Sequence, residues 1–196
     1  MALHNDVFKQ QIWEYFCGDL ESCLNVSKLK QTKLNSEFKG GLNFTATLVI
    51  FSVIELCAGW WKGIEPTNDI IAAFIQKYLS KYYLKFKNKN LSKKFYEVFR
   101  NGLSHQWSPK ASGVAMDFSD NWLINKFKTN GEDILVLNVP TFFYITRQGL
   151  TDFEEELDQD KTKQKLFEVR YSTIVNSDYK EMRILRYMLE KDEITE

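Results

Sequence analysis

Apolar residues recur along most of the chain at the three- and four-residue offsets that place side chains on one face of a helix. Between Val7 and Leu29 they fall at Val7, Phe8, Ile12, Tyr15, Phe16, Leu20, Cys23 and Leu24, which predicts an amphipathic helix with a break near Gly18. The polar and glycine-rich LNSEFKGG separates it from LNFTATLVIFSVIELCAGWW, Leu42 to Trp61, which is apolar on nearly every side. A third helix begins near PTNDII, where Asn68 or Asp69 can cap the open backbone N–H groups. Its stripe is Ile70, Ile71, Phe74, Ile75, Tyr78, Leu79 and Tyr82. A fourth helix carries Leu91, Phe95, Val98, Phe99, Gly102 and Leu103 on one face and ends within GLSHQWSP.

The pattern then changes. SGVAMDFSDNWLINKF and DILVLNVPTFFYIT are short and rich in β-branched and aromatic residues, and the Asn130-Gly131 pair between them is a tight-turn signal. They predict a β-hairpin insertion over about residues 112–147, with Pro140 at an edge or bulge. Thr151 followed by Glu154 reads as a capping box opening a helix through DFEEELDQDKTKQKLFEVRY, and DYKEMRILRYMLEKD forms the last helix. The expected fold class is mainly α: a helical bundle with a β-hairpin insertion after the fourth helix and two C-terminal helices, in one domain spanning 1–196.

Composition narrows the functional classes. The chain has 26 basic and 26 acidic residues, so any nucleic-acid binding must rest on local rather than overall charge. Leu42–Trp61 is long enough to span a bilayer. Glu55 inside the run, with Asn43, Thr45, Thr47 and Ser52, favours a buried central helix, no membrane partner and a cytoplasmic location. Cys17, Cys23 and Cys57 lack paired-ligand spacing and only His4 and His105 accompany them, so no metal site and no cofactor are expected.

Charge is nevertheless segregated. No acidic residue occurs between Asp69 and Glu97, while Lys77, Lys81, Lys85, Lys93 and Lys94 are interleaved with tyrosines. Lys77, Lys81 and Lys85 recur every four residues, so they line one side of the third helix. They form either a phosphate-binding surface with tyrosines for base stacking, or an ordinary solvated lysine face. The acidic run Asp152–Asp160 reads as the first turn of a helix, favoured by the helix dipole. Its alternative role is to cover the lysine face, in the same chain or in a partner.

The polar end of the fourth helix holds Arg100, Asn101 and His105. Asn101 and His105 lie one turn apart, but in a regular helix Arg100 and His105 diverge by about 140° at 100° per residue. They converge if the helix ends or kinks around Gly102, or if two copies face each other across a dimer axis. On this reading Glu55 is either a partner of Arg100, in competition with Glu97, or a polar residue facing a groove. The bland reading of His105 is a helix C-terminal residue that interacts with the dipole.

Arg-Asn-Gly-Leu-Ser-His, Arg100 to His105, resembles the R-x4-H signature of the HEPN superfamily (higher eukaryotes and prokaryotes nucleotide-binding), with Asn in its favoured second position. The resemblance extends in pattern over Leu42–Pro109. It implies a HEPN-like bundle, a homodimer, and a metal-independent endoribonuclease of toxin or defence type. In that scheme the RNA 2′-hydroxyl attacks, His105 moves the proton, Arg100 stabilises the phosphorane charge and Asn101 positions either one. It also implies a neutralising antitoxin or nucleotidyltransferase partner. The competing expectation is a non-catalytic HEPN-like module that binds RNA, a nucleotide or a protein. A third is a structural helical protein in which the motif is accidental.

Overall fold

The computed structural model describes residues 2–33, 42–106, 112–129 and 131–191. The LNSEFKGG segment and Asn130 of the expected turn lie outside the described residues, as do the side chains of residues 104–106. The N-terminal run is α1 (Leu3–Val7), a π-helical stretch Phe8–Cys17, and α2 (Gly18–Lys33). Gly18 keeps helical angles, φ −62° and ψ −45°, so the winding changes there without the expected break.

The apolar segment forms α3 (Asn43–Lys62), which packs on α4 (Asn68–Phe74), α5 (Lys89–Gln106), α6 (Val139–Gln159) and α7 (Lys161–Lys191). By length and composition α3 could cross a membrane, yet 56% of its most apolar window is buried inside the protein. Its burial is widespread because neighbours surround it: Ile50, Phe51, Ile54, Cys57, Ala58 and Trp60 are all buried. Gly63 ends the helix at φ 72°, a left-handed cap that L residues with a Cβ disfavour.

Thr67 caps α4, its hydroxyl accepting from the Ile70 N–H at 3.4 Å. Asn68 and Asp69, the expected caps, already lie in the first helical turn. The chain continues through a π turn (Ile75–Leu79) and a 3-10 turn (Leu84–Lys87) into α5.

The insertion holds three strands rather than two. β1 (Ser112–Ala115), β2 (Ile124–Thr129) and β3 (Glu132–Asn138) form a sheet in the order β1-β3-β2, with β2–β3 antiparallel and β1 parallel to β3. The hairpin is present and turns through Gly131 at φ 82°. The segment expected as its first strand divides in two around Asp117–Leu123.

The C-terminal boundaries also differ. Pro140 sits in the first turn of α6, where a missing N–H costs nothing, and not at a strand edge or bulge. Thr151 lies within α6 and its hydroxyl donates to the Arg147 carbonyl, so the capping box is absent. Asp160 punctuates instead, its carboxylate accepting from the N–H groups of Thr162 and Lys163.

Two aromatic clusters weld the helices together. Phe51, Phe95 and Phe142 join α3, α5 and α6, while Phe8, Trp60, Phe153 and Phe167 join the N-terminal helix to α3, α6 and α7. Gly149 of α6 seats Leu79: a Cβ there would lie 2.7 Å from Leu79 Cδ1 and 3.3 Å from the Tyr78 carbonyl oxygen. Beyond Val175, α7 leaves the bundle, and Asn176–Met188 are all exposed.

Candidate functional site

Two side chains of α5, Tyr96 and Arg100, share one carboxylate of α3. Arg100 Nε donates to Glu55 Oε1 at 2.6 Å and its Nη2 to Oε2 at 3.2 Å, while the Tyr96 hydroxyl donates to Oε1 at 2.9 Å. Tyr96 and Arg100 are four residues apart, so successive turns of α5 deliver a phenol and a guanidinium to the same acceptor. Two-point contact fixes the guanidinium plane as well as its position. The hydrogen bonds to Glu55 hold Arg100 more firmly protonated than usual. Burial, and then the neighbouring carboxylate, push the Tyr96 phenol above its ordinary range.

The carboxylate also borders a groove of about 210 Å³ lined by Ser52, Glu55, Gly59, Glu65, Arg170 and Ile174 among others. Glu55 therefore fills both roles weighed for it. Glu97 pairs with Lys94 at 2.8 Å instead of with Arg100. Gly59 lets the loop after α3 fold back on the helix, since a Cβ there would stand 3.2 Å from the Ile64 carbonyl oxygen and 3.3 Å from Pro66 Cδ. Arg170 is paired with Glu65.

Asn101 is half-buried on the next position of α5, and His105 occupies the last turn, with its side chain outside the described residues. α5 runs unbroken through the buried Gly102 to Gln106. The helix therefore does not end at Gly102, one of the ways in which Arg100 and His105 could converge.

No family model, curated protein or solved structure matches the chain. Geometry and chemistry alone bear on its role.

The lysine face meets acids. Lys77 Nζ lies 2.6 Å from Glu156 Oε1 and Lys81 Nζ 2.9 Å from Asp152 Oδ2; Lys93 pairs with Asp69 at 3.0 Å. With Lys94 on Glu97, four of the five lysines nominated for RNA have a carboxylate partner. Lys85 instead lies 6.0 Å from the Tyr83 ring centroid. Residues 152–159 are the last turns of α6 rather than the first turn of a helix, and Asp152 and Glu156 there pair with Lys81 and Lys77 of the same chain. One signal in the sequence pointed there: the i, i+4 spacing of Lys77 and Lys81 is matched by Asp152 and Glu156.

Glu156 is the hub of that contact. It accepts from Tyr78 Oη at 2.6 Å as well as from Lys77 and Lys163. Partial burial alone would raise its carboxyl, but the hydrogen bonds from Lys163, Lys77 and Tyr78 hold it at about 2. A folded-state value below the ordinary 4.5 means that its stabilisation is full above that pH and fades as pH falls toward about 2. Glu156→Gln is expected to cost about 2 kcal/mol near neutrality, after allowing for solvent screening, and progressively less below about pH 4.5. Denaturant melts of both proteins across that range check this; a wild-type-to-variant gap that does not narrow in acid would refute it.

Burial pushes the Cys17 thiol up to about 11 and the Cys57 thiol well above its usual value. Both therefore remain protonated at neutral pH, which suits packing rather than nucleophilic chemistry.

Proposed function

We propose that the chain is a HEPN-like, metal-independent endoribonuclease of toxin or defence type, in which Arg100, Asn101 and His105 from two copies build the site. The single observation that supports this most is the two-point hold of Glu55 on Arg100 within an unbroken α5. A guanidinium held at two points by a carboxylate has its position and plane set in advance, and a preorganised cation of this kind suits the stabilisation of charge on a transferring phosphoryl group. Positions five apart on a regular helix diverge by about 140°, which favours the histidine of a second copy.

In the reaction the RNA 2′-hydroxyl loses its proton to one histidine and attacks the adjacent phosphorus. The P–O5′ bond breaks and a histidine protonates the departing 5′-oxygen, leaving a 2′,3′-cyclic phosphate and a 5′-hydroxyl. Arg100 balances the additional charge of the pentavalent state and Asn101 orients the phosphate or the imidazole. An enzyme of this type would be restrained by an antitoxin, such as a small nucleotidyltransferase.

Cleavage of RNA in excess EDTA tests the reading. His105→Ala and Arg100→Ala are each expected to lower the rate at least about 100-fold, the usual scale for a lost general acid–base or charge-stabilising group. Activity that survives both substitutions removes this site from the mechanism, and cleavage abolished by EDTA rejects the metal-free scheme. The second reading, a non-catalytic HEPN-like binding module, is favoured by the acid partners of Lys77, Lys81, Lys93 and Lys94, which reduce the free cationic charge offered to a phosphate backbone. It predicts ligand binding with no cleavage by the wild-type protein.

A further inference from the structure

A second, chemically different site lies between the loop after β1, the first turns of α6 and the segment following the π turn. It is a cleft of about 480 Å³, within the usual size of a small-molecule site. Tyr82, Tyr83, Phe118 and Tyr144 supply aromatic walls, and Asp117 and Asp120 bring carboxylates to the same space. Among the described residues, no lysine or arginine lines it.

The cleft is built rather than incidental. Asn138, fully buried where β3 passes into α6, donates through Nδ2 to the carbonyls of Asp117 (2.9 Å) and Asp120 (3.2 Å) and to Thr141 Oγ1 (3.1 Å). Its Oδ1 accepts from the Asp117 N–H at 3.0 Å. One buried amide thus ties the acid-bearing loop to the helix that carries Tyr144. Asp117 is in turn held by Ser119 and by Trp122 Nε1, at 2.6 Å and 2.9 Å, and these bonds keep its carboxyl below the ordinary range.

Aromatic faces and carboxylates share one preference. The negative face of a π ring attracts a cation, and a nearby carboxylate adds a full charge. Two rings of the cleft already attract cations from this chain: Lys85 Nζ stands 6.0 Å from the Tyr83 centroid and Lys28 Nζ 5.9 Å from that of Phe118. An anionic phosphate would meet the two carboxylates, so this cleft is not a continuation of the Arg100 site.

We propose that the cleft binds an organic cation, an alkylammonium or guanidinium head, whose charge faces Asp117 and Asp120 and whose alkyl groups lie against the tyrosines. The head can belong to a free amine or to a Lys or Arg side chain of another protein. The proposal does not depend on the nuclease reading.

The test is a titration of the full chain, followed by amide NMR shifts and Trp122 fluorescence, with choline, its neutral isostere 3,3-dimethylbutanol, spermidine, and a lysine peptide beside its norleucine counterpart. Choline or the lysine peptide should saturate the site, with the neutral counterparts at least about tenfold weaker. A lysine peptide that binds at least about tenfold tighter than choline or spermidine identifies a protein side chain as the source; the reverse order identifies a free amine. Asp120→Asn and Tyr144→Ala, both on the cleft surface, should each weaken binding about fivefold or more without changing the melting temperature, and neither should alter RNA cleavage. Equal binding of charged and neutral partners overturns the proposal. So does an unchanged affinity in both variants, or no saturable shift with any cation at millimolar concentration.

Discussion

Phe142→Ala is expected to remove about 3–5 kcal/mol of folding stability, a large share of the roughly 5–15 kcal/mol of an ordinary domain. Phe142 is fully buried, with its ring centroid 4.9 Å from Phe51 and 5.3 Å from Phe95. Deleting the ring costs its transfer from water and leaves a void bounded by three helices, which rigid neighbours fill only in part. The effect should reach the candidate site. Phe51 lies one turn before Glu55, and Phe95 immediately precedes Tyr96, which itself packs on Phe51 with ring centroids 5.8 Å apart. A looser α3–α5 contact would lengthen the hold on Arg100. Chemical denaturation gives the loss directly, and Phe142→Leu should recover more than half of it. A loss below about 1.5 kcal/mol for the alanine variant would contradict packing of this kind at the three-helix junction.

Asn138→Asp, a change of one atom, is expected to cost about 2–4 kcal/mol at neutral pH. The amide nitrogen donates to two carbonyl oxygens and a hydroxyl; a carboxylate oxygen in its place would face both carbonyls as an acceptor with no proton to give. The site is fully buried, so the anion is also poorly solvated. Both effects raise the folded-state pKa of the new carboxyl above its unfolded value. The penalty, measured against wild type at each pH, is therefore largest above the folded value and shrinks as acid restores a donating O–H. A penalty that did not shrink in acid would mean that the amide is not acting as a donor here. Asn138→Asp should also weaken cation binding in the cleft, because the Asp117–Asp120 loop would lose its tie to α6.

The helices that bury one stripe were legible because their period is written in the sequence. The stripe expected for the third helix reappears across α4 and the π turn as Ile71, Phe74, Ile75, Tyr78 and Leu79, and that of α5 as Phe95, Phe99 and Leu103. Boundaries were legible only where one local signal acted alone. Pro140 suits a strand edge and a helix first turn equally well, and the choice was made by Phe142 and Phe143 entering the core from a helix. Thr151 and Glu154 have capping-box spacing, but nothing in that spacing says whether a helix already runs through them.

At the candidate site, a charged residue inside an apolar helix signalled that Glu55 needed a partner, and the arginine on a facing helix was a short step away. Tyr96 gave no such signal: it is not among the apolar stripe positions of its helix, and a tyrosine beside that stripe suits an ordinary core. The hub at Glu156 lies 78 residues from Tyr78 and left only the matched four-residue spacing of its acids and lysines as a signal, while the Asn138 tie, across 18–21 residues, left none.

The ladder between α6 and the π turn Ile75–Leu79 with the residues just after it contains an ambiguity of its own making. Lys77 and Lys81 face Glu156 and Asp152, two pairs with the same four-residue step. Sliding one helix past the other by a single turn would still bring Lys81 opposite Glu156, so charge alone cannot say which rung belongs to which. Gly149 resolves it. Only at that position is there a notch that admits Leu79, and a slide of one turn would drive the leucine into a side chain instead. The glycine thus acts as the keyway of the joint: the salt bridges attract the two helices over a range of alignments, and a missing methyl group selects one.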